Sequence, residues 1–143
     1  MKVAVLYESM TGNTRKAAEL IGGAVARLGE EVEVMSVRNI DDLHFLSQAD
    51  LVFLGTWVDG LIVAGHRPGG SKSIKAMPTL EGKPVAVFNT HAIHQGSMLD
   101  KLARLVERHG GEVVARAGFK RSNLSKGVKE FVADAVSAVP APA

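Results

Sequence analysis

Short, continuous apolar runs alternate along this chain with longer stretches of helical periodicity, and this alternation restricts the fold more than any other feature. Three runs, at residues 3–7, 51–54 and 85–88, are typical of strands covered on both faces. Two further segments, at residues 31–37 and 113–119, mix polar and apolar residues as edge strands do. The pattern therefore predicts five strands connected by helices in parallel β-α-β units.

Apolar residues recur at helical spacing in three stretches between or after the predicted strands. Gly29 ends the first stretch and Gly110 ends the second, as glycine commonly does after a helix. Shorter helical connections are predicted near residues 41–47 and 72–77. The three stripes consist of Ala17, Leu20, Ile21, Ala24, Val25 and Leu28; of Leu99, Leu102, Ala103 and Val106; and of Val128, Phe131, Val132, Ala135 and Val136.

The length of 143 residues, 46% of them hydrophobic, suits one domain with an ordinary core. We expect a single domain over residues 1–139 and a frayed tail over residues 140–143. With strands 1, 3 and 4 inside, the simplest α/β architecture is a three-layer, doubly wound, five-stranded parallel sheet in the order 2-1-3-4-5. In that order a ligand-binding crevice opens beyond the carboxyl ends of strands 1 and 3. The segments facing it are residues 8–14, 56–73 and 89–97.

The composition excludes several classes of function. The chain has no cysteine, which removes disulfides, thiolate metal sites and cysteine nucleophiles, so any redox chemistry must come from a cofactor. With 17 Lys+Arg against 15 Asp+Glu and no basic block with interleaved aromatics, a nucleic-acid partner is not expected. No apolar stretch is long enough for a secretory signal or a membrane span, so we expect a cytoplasmic location and no membrane partner.

The first crevice segment is rich in small polar side chains. Between an apolar strand and an amphipathic helix, such a turn can aim backbone N–H groups and hydroxyls at one anion. It lacks the lysine of nucleoside-triphosphate loops, so a terminal monophosphate fits better than a triphosphate. The alternative is an ordinary helix N-cap, which favours the same residue types. The segment reads Ser9, Met10, Thr11, Gly12, Asn13 and Thr14.

The second crevice segment begins with Thr56 and Trp57, the only tryptophan of the chain. A broad apolar ring face beside a phosphate cradle suits a stacked heteroaromatic ring. Alternatively, Trp57 is a core or surface residue at the end of a strand.

These residues resemble the flavodoxins and flavodoxin-like proteins, and the resemblance covers nearly the whole chain. Ser9-x-Thr11-Gly12-Asn13-Thr14 corresponds to the family's [ST]-x-T-G-x-T phosphate loop. Thr56 and Trp57 correspond to the aromatic position after strand 3, and residues 89–96 to the third, flavin-edge loop. Without a long insertion in strand 5, the chain is similar to the short-chain members.

The resemblance implies a noncovalently bound FMN and the transfer of electrons between a flavin-reducing enzyme and an acceptor protein. It implies that Ser9 to Thr14 contact the phosphate and that Trp57 stacks on one ring face. The remaining expected FMN contacts are Thr56, Val58, Asp59 and Gly60 after strand 3, and Asn89, Thr90, His91, His94 and Gln95 near the pyrimidine edge.

Three departures from the family pattern affect these expectations. Val58 stands where glycine is usual, and a β-branched residue disfavours a peptide flip at flavin N5 unless Asp59-Gly60 supplies the turn. His91 and His94 stand in the loop that often offers tyrosine; they can stack, raise the potential when protonated, or be ordinary exposed histidines. The chain also lacks the acidic character common among flavodoxins.

Two other functions remain open at this point. One is an FMN-dependent NAD(P)H or quinone reductase, with His91 or His94 near the substrate. The other is a flavodoxin-like interaction domain that no longer binds flavin. A metal pair at His91 and His94 is less favoured, because the sequence places no third ligand beside them.

Overall fold

The computed structural model describes residues 1–9, 12–57, 77–92 and 98–140. Its strands lie where the apolar runs predict them, but two of them extend further towards their carboxyl ends. The strands are β1 (Lys2–Tyr7), β2 (Glu31–Ser36), β3 (Leu51–Trp57), β4 (Pro84–His91) and β5 (Glu112–Lys120).

The helices in the described part of the chain follow the three predicted stripes and the predicted short connection near residues 41–47. The predicted connection near residues 72–77 lies outside the described residues except for Met77. Asp42 caps the short helix, because its side chain accepts a hydrogen bond of 2.8 Å from the backbone N–H of Phe45. Gly29 follows the first helix at a φ of 85°, as predicted for its end. The helices are α1 (Asn13–Arg27), α2 (Leu43–Gln48), α3 (Met98–Arg108) and α4 (Val128–Ser137).

The sheet confirms the predicted architecture. Its strands are all parallel, in the order β2-β1-β3-β4-β5. The chain thus leaves β1 towards β2 and later returns to the other side of β1 with β3. This reversal opens a crevice beyond the carboxyl ends of β1 and β3.

The core consists of two apolar layers, one on each face of the sheet. Alternate residues of the inner strands face opposite sides, so each strand contributes to both layers. On one face Leu6, Leu54 and Val87 pack against α2 and α3. On the other face Phe53 and Phe88 pack against α1 and α4. Helices on both faces confirm the three-layer α/β fold.

Two predicted stripe residues are not part of the core. Leu20 is 39% exposed and Leu28 is 54% exposed, whereas Ala17, Ile21 and Val25 are buried. The buried arc of α1 is centred on these three residues, which leaves Leu20 at its margin, and Leu28 comes after the last helical turn.

Candidate functional site

The site predicted at the carboxyl edge of the sheet is built from the ends of three adjacent strands. Tyr7 pairs with Gly55, and Trp57 pairs with Thr90, so β1, β3 and β4 end at nearly the same level. Thr56 and Trp57 are the last residues of β3 rather than the first residues after it. Asn89, Thr90 and His91 likewise complete β4. Strand pairing therefore fixes the backbone of the site residues at the ends of β3 and β4.

The start of α1 presents backbone donors to the crevice. Gly12 occupies the N-cap position at a φ of 92°, which favours glycine, and it has no side chain with which to cap the first turn. Its own N–H donates to the hydroxyl of Ser9 at 3.0 Å, and this bond closes the turn after β1. Backbone N–H groups and the positive end of the helix dipole together favour an anion here.

A pair of threonine hydroxyls ties this helix start to the end of β4. Thr14 Oγ1 lies 2.9 Å from Thr90 Oγ1, and both residues are buried. One hydroxyl donates to the other, so the pair retains one further O–H proton for an acceptor outside it. Thr14 and Thr90 are both residues that the sequence assigns to the site, and the structure brings them together. Asn13, the first residue of α1, directly precedes Thr14.

Trp57 and Asn89 bring buried polar atoms to the ends of β3 and β4. Within the described residues, Trp57 Nε1 and both amide atoms of Asn89, Nδ2 and Oδ1, have no hydrogen-bond partner. Asn89 is 1% exposed, so solvent does not satisfy its amide. A buried polar group without a partner costs free energy unless a ligand or water satisfies it. A ligand with polar edges is one group that would satisfy these atoms.

The polar residues divide between the two faces of the sheet. Thr56 and Asn89 follow Leu54 and Val87 by two residues and share their face, on the side of α2 and α3. Trp57 lies on the opposite face, the side of α1, as Thr90 does.

The structure adds a charged pair that the sequence analysis did not assign to the site. Glu8 directly follows β1 and is fully buried, and its Oε1 lies 2.6 Å from Nε of Arg38. The Arg38 side chain remains 63% exposed. The available sequence signal was an acid immediately after an apolar strand, at an edge expected to bind an anion.

Several predicted site residues lie outside the described residues, so their placement stays a prediction. They are Met10, Thr11, Val58, Asp59, Gly60, His94 and Gln95. His91 lies inside the described range as the last residue of β4.

In the described ranges, histidines and acidic residues form no cluster of three or more able to hold a metal ion. None of the helices in these ranges is long and apolar enough to cross a bilayer. A cavity of about 510 Å³ lies at the amino edge of the sheet, opposite to the edge where ligands of such folds bind. Its lining residues are Met1, Lys2, Gly29, Glu31, Gln48 and Asp50.

Comparison with known proteins gives one consistent result. The family model described as a flavodoxin domain matches residues 4–135. A flavodoxin of Megasphaera elsdenii is 30% identical over 119 residues, which is 80% of this chain and 83% of that protein. The flavodoxin-like domain-containing protein BilS of Clostridioides difficile (strain CD3) is 30% identical over 114 residues, 76% of this chain, and the chain spans 60% of its length.

A solved structure agrees with these matches at the level of the fold. The solution structure of two-electron reduced Megasphaera elsdenii flavodoxin superimposes with a TM-score of 0.74 at 24% identity. The superposition covers 94% of this chain and 98% of that one.

Proposed function

The chain belongs to the flavodoxin family, and from this membership we infer that it binds FMN noncovalently and carries electrons between redox partners. FMN supplies the redox chemistry when bound, because its ring system accepts and releases one or two electrons. The protein's contribution is to bind and orient the flavin, exclude water and adjust its potential. The partners we propose are a flavin-reducing enzyme and an acceptor protein.

The observation that carries this proposal is the set of unsatisfied polar groups at the carboxyl edge. The uncapped start of α1 and the spare proton of the Thr14–Thr90 pair suit a phosphate monoester. The buried amide of Asn89, which has no partner in the described residues, suits a polar edge of a heteroaromatic ring system. The residues present therefore fit FMN.

We propose that three groups of residues hold the cofactor. The turn after β1 holds the phosphate, the end of β3 and the residues after it hold the ring, and the end of β4 holds the pyrimidine edge. The groups are Ser9, Met10, Thr11, Gly12, Asn13 and Thr14; Thr56, Trp57, Val58, Asp59 and Gly60; and Asn89, Thr90, His91, His94 and Gln95.

Thr14 belongs to the group proposed to hold the phosphate, which makes it a position at which phosphate binding can be tested. Replacing it in Thr14→Val keeps the shape but removes the hydroxyl that faces Thr90. Because a hydrogen bond to a charged group is worth about 1.5–3 kcal/mol, FMN affinity should fall about tenfold to a hundredfold. Riboflavin, which has no phosphate, should bind nearly as before. Quenching of Trp57 fluorescence during titration measures both affinities.

Thr14→Ser, which keeps the hydroxyl, is the matched control and should retain the preference for FMN. Equal losses for FMN and riboflavin in Thr14→Val would contradict the phosphate assignment. Wild-type protein that binds neither flavin would contradict the proposed function as a whole and would support an interaction domain.

Electron transfer is tested with the FMN-loaded protein between an NADPH-dependent flavodoxin reductase and cytochrome c. We expect cytochrome c reduction to depend on the protein and on FMN. Rapid oxidation of NAD(P)H by a quinone without the reductase would instead identify a substrate-reducing enzyme.

A further inference from the structure

Glu8 is a buried acid that directly precedes the turn proposed to bind the phosphate. The residue is 0% exposed, and its backbone N–H donates to the carbonyl of Gly55 at 2.9 Å. This bond ties the backbone of Glu8, one residue before Ser9, to β3. The side chain shares the sheet face of Leu6, two residues earlier.

Arg38 compensates the charge of Glu8. Its Nε lies 2.6 Å from Glu8 Oε1, and the chain just before it is anchored by a 2.8 Å bond from the N–H of Val37 to the carbonyl of Tyr7. Within the described residues neither carboxylate oxygen of Glu8 accepts a well-aligned hydrogen bond. The ion pair is therefore the main compensation for this buried charge.

The position of this pair matters because an anion is expected next to it. A phosphate monoester carries a charge of about −1.5 to −2 at neutral pH. Consecutive Cα atoms are about 3.8 Å apart, and the N–H of Gly12 lies 3.0 Å from the hydroxyl of Ser9, so both ends of the turn lie within about 10 Å of the Glu8 Cα. At that separation in partly buried surroundings, an uncompensated carboxylate would repel the phosphate appreciably.

On the basis of the proposed function, we propose that Arg38 is a positioning residue for FMN. By neutralising buried Glu8, it sets the affinity of the site for the phosphate-bearing flavin without contacting the flavin itself. The charged pair is then part of the recognition of FMN over riboflavin.

The test measures the ratio of FMN affinity to riboflavin affinity in variants of the full chain. Arg38→Gln should lower this ratio about tenfold, equivalent to about 1.4 kcal/mol, mainly through weaker FMN binding. Added salt should reduce the difference, because ions screen the interaction. Arg38→Lys keeps the charge and should keep most of the ratio.

The control for net charge is Arg116→Gln, which breaks the ion pair between Arg116 and Asp100 on β5 and α3. It removes the same charge away from the crevice and should leave the ratio unchanged.

The double variant Glu8→Gln/Arg38→Gln separates compensation from direct contact. With no carboxylate to neutralise, it should recover a ratio within about threefold of the wild type. If the double variant has an affinity ratio as low as that of Arg38→Gln, Arg38 contacts the phosphate itself, and the proposal is overturned.

Two further outcomes decide the proposal. An unchanged ratio in Arg38→Gln, or equal losses for both flavins, would reduce the pair to a structural role. If Arg38→Gln does not fold, Glu8→Gln is the deciding variant. The proposal is supported if the affinity ratio of Glu8→Gln equals or exceeds that of the wild type and the ratio of the double variant lies within about threefold of the wild type. A lower ratio in Glu8→Gln overturns the proposal. Wild-type protein without affinity for FMN would contradict the proposed function instead.

Discussion

Gly55 is a residue at which a single added methyl group would disturb the core beneath the site. A Cβ atom there would lie 2.1 Å from Cε2 and Cζ of Phe88. That ring is fully buried and contacts Phe119 and Phe131 edge-on, at centroid distances of 6.2 and 6.3 Å. Phe88 therefore has little room to move away.

We predict that Gly55→Ala lowers the free energy of unfolding by about 1–3 kcal/mol, the usual cost of overpacking. Urea denaturation monitored by circular dichroism measures the change. Adding Phe88→Leu should make Gly55→Ala less costly than it is in the wild-type background. An unchanged urea midpoint in the single variant would contradict the close contact.

Glu33 provides a prediction for pH. Burial raises the pKa of its carboxyl group, and the neighbouring charge and hydrogen bond of Asp42 raise the pKa further. The folded state therefore binds the proton more tightly than the unfolded state. The stability that this group contributes is present below the ordinary glutamate pKa of about 4.5 and is lost as the pH rises through the raised pKa.

Glu33→Gln should accordingly raise the melting temperature at pH 7, by no more than about 2 °C for a site of this exposure. The advantage should disappear below the ordinary glutamate pKa, where the wild-type carboxyl is protonated in both states. Thermal melts across pH 3–8 give the comparison, with Glu31→Gln on the same strand as control. A stabilisation that persists at the acidic end would argue against this origin.

At the scale of elements, α1 contains two adjacent glycines with different surroundings. A Cβ at Gly22 would lie 2.7 Å from Cγ2 of Val34 on β2. A Cβ at Gly23 would meet only the end of the Arg27 side chain, at 3.7 Å. Gly23 thus weakens the helix and is not required for its packing on the sheet, whereas Gly22 allows α1 to approach β2 closely.

Gly23→Ala should raise the free energy of unfolding by about 0.5–1 kcal/mol, because alanine favours the helix over glycine. Gly22→Ala should lose part or all of this gain, since Val34 must shift. Denaturant unfolding of both variants provides the comparison. If Gly22→Ala were the more stable variant, the close packing of α1 on β2 would be refuted.

The strand order and the cores of the helices could be predicted from hydrophobic periodicity, and the ends of the elements could not. Thr56 and Asn89 are polar, so pattern alone ended both strands before them, although backbone pairing continues through them. Periodicity also put Leu20 in the apolar stripe of α1, yet it is 39% exposed, because a stripe does not reveal where the buried arc is centred.

Part of the site could be predicted because its residues are close in sequence. The turn from Ser9 to Thr14 is such a local motif, whereas the contact of Thr14 with Thr90 joins residues far apart in the chain. The pair of Glu8 and Arg38 likewise depends on β1 and β2 lying side by side. Contacts of this kind follow from tertiary packing and leave no signal in local spacing.

At the scale of the whole molecule, the proposed FMN site joins β1, α1, β3 and β4. A ligand that binds only the folded protein stabilises it by RT ln(1 + [L]/Kd). FMN at about one hundred times its Kd should therefore add about 2.7 kcal/mol to the free energy of unfolding. Urea denaturation with and without FMN tests this, and an equal midpoint in both would mean that FMN does not bind the folded state selectively.

The order of the strands also has a consequence during synthesis on the ribosome. β1 and β2 can pair early, but β1 acquires its other neighbour only when Leu51–Trp57 has emerged, and β3 must then wait for Pro84–His91. Thr14 meets Thr90 at the end of that last segment. The nascent chain therefore cannot complete the proposed flavin-binding corner until Thr90 has left the ribosome, so we expect cofactor capture to follow the synthesis of β4.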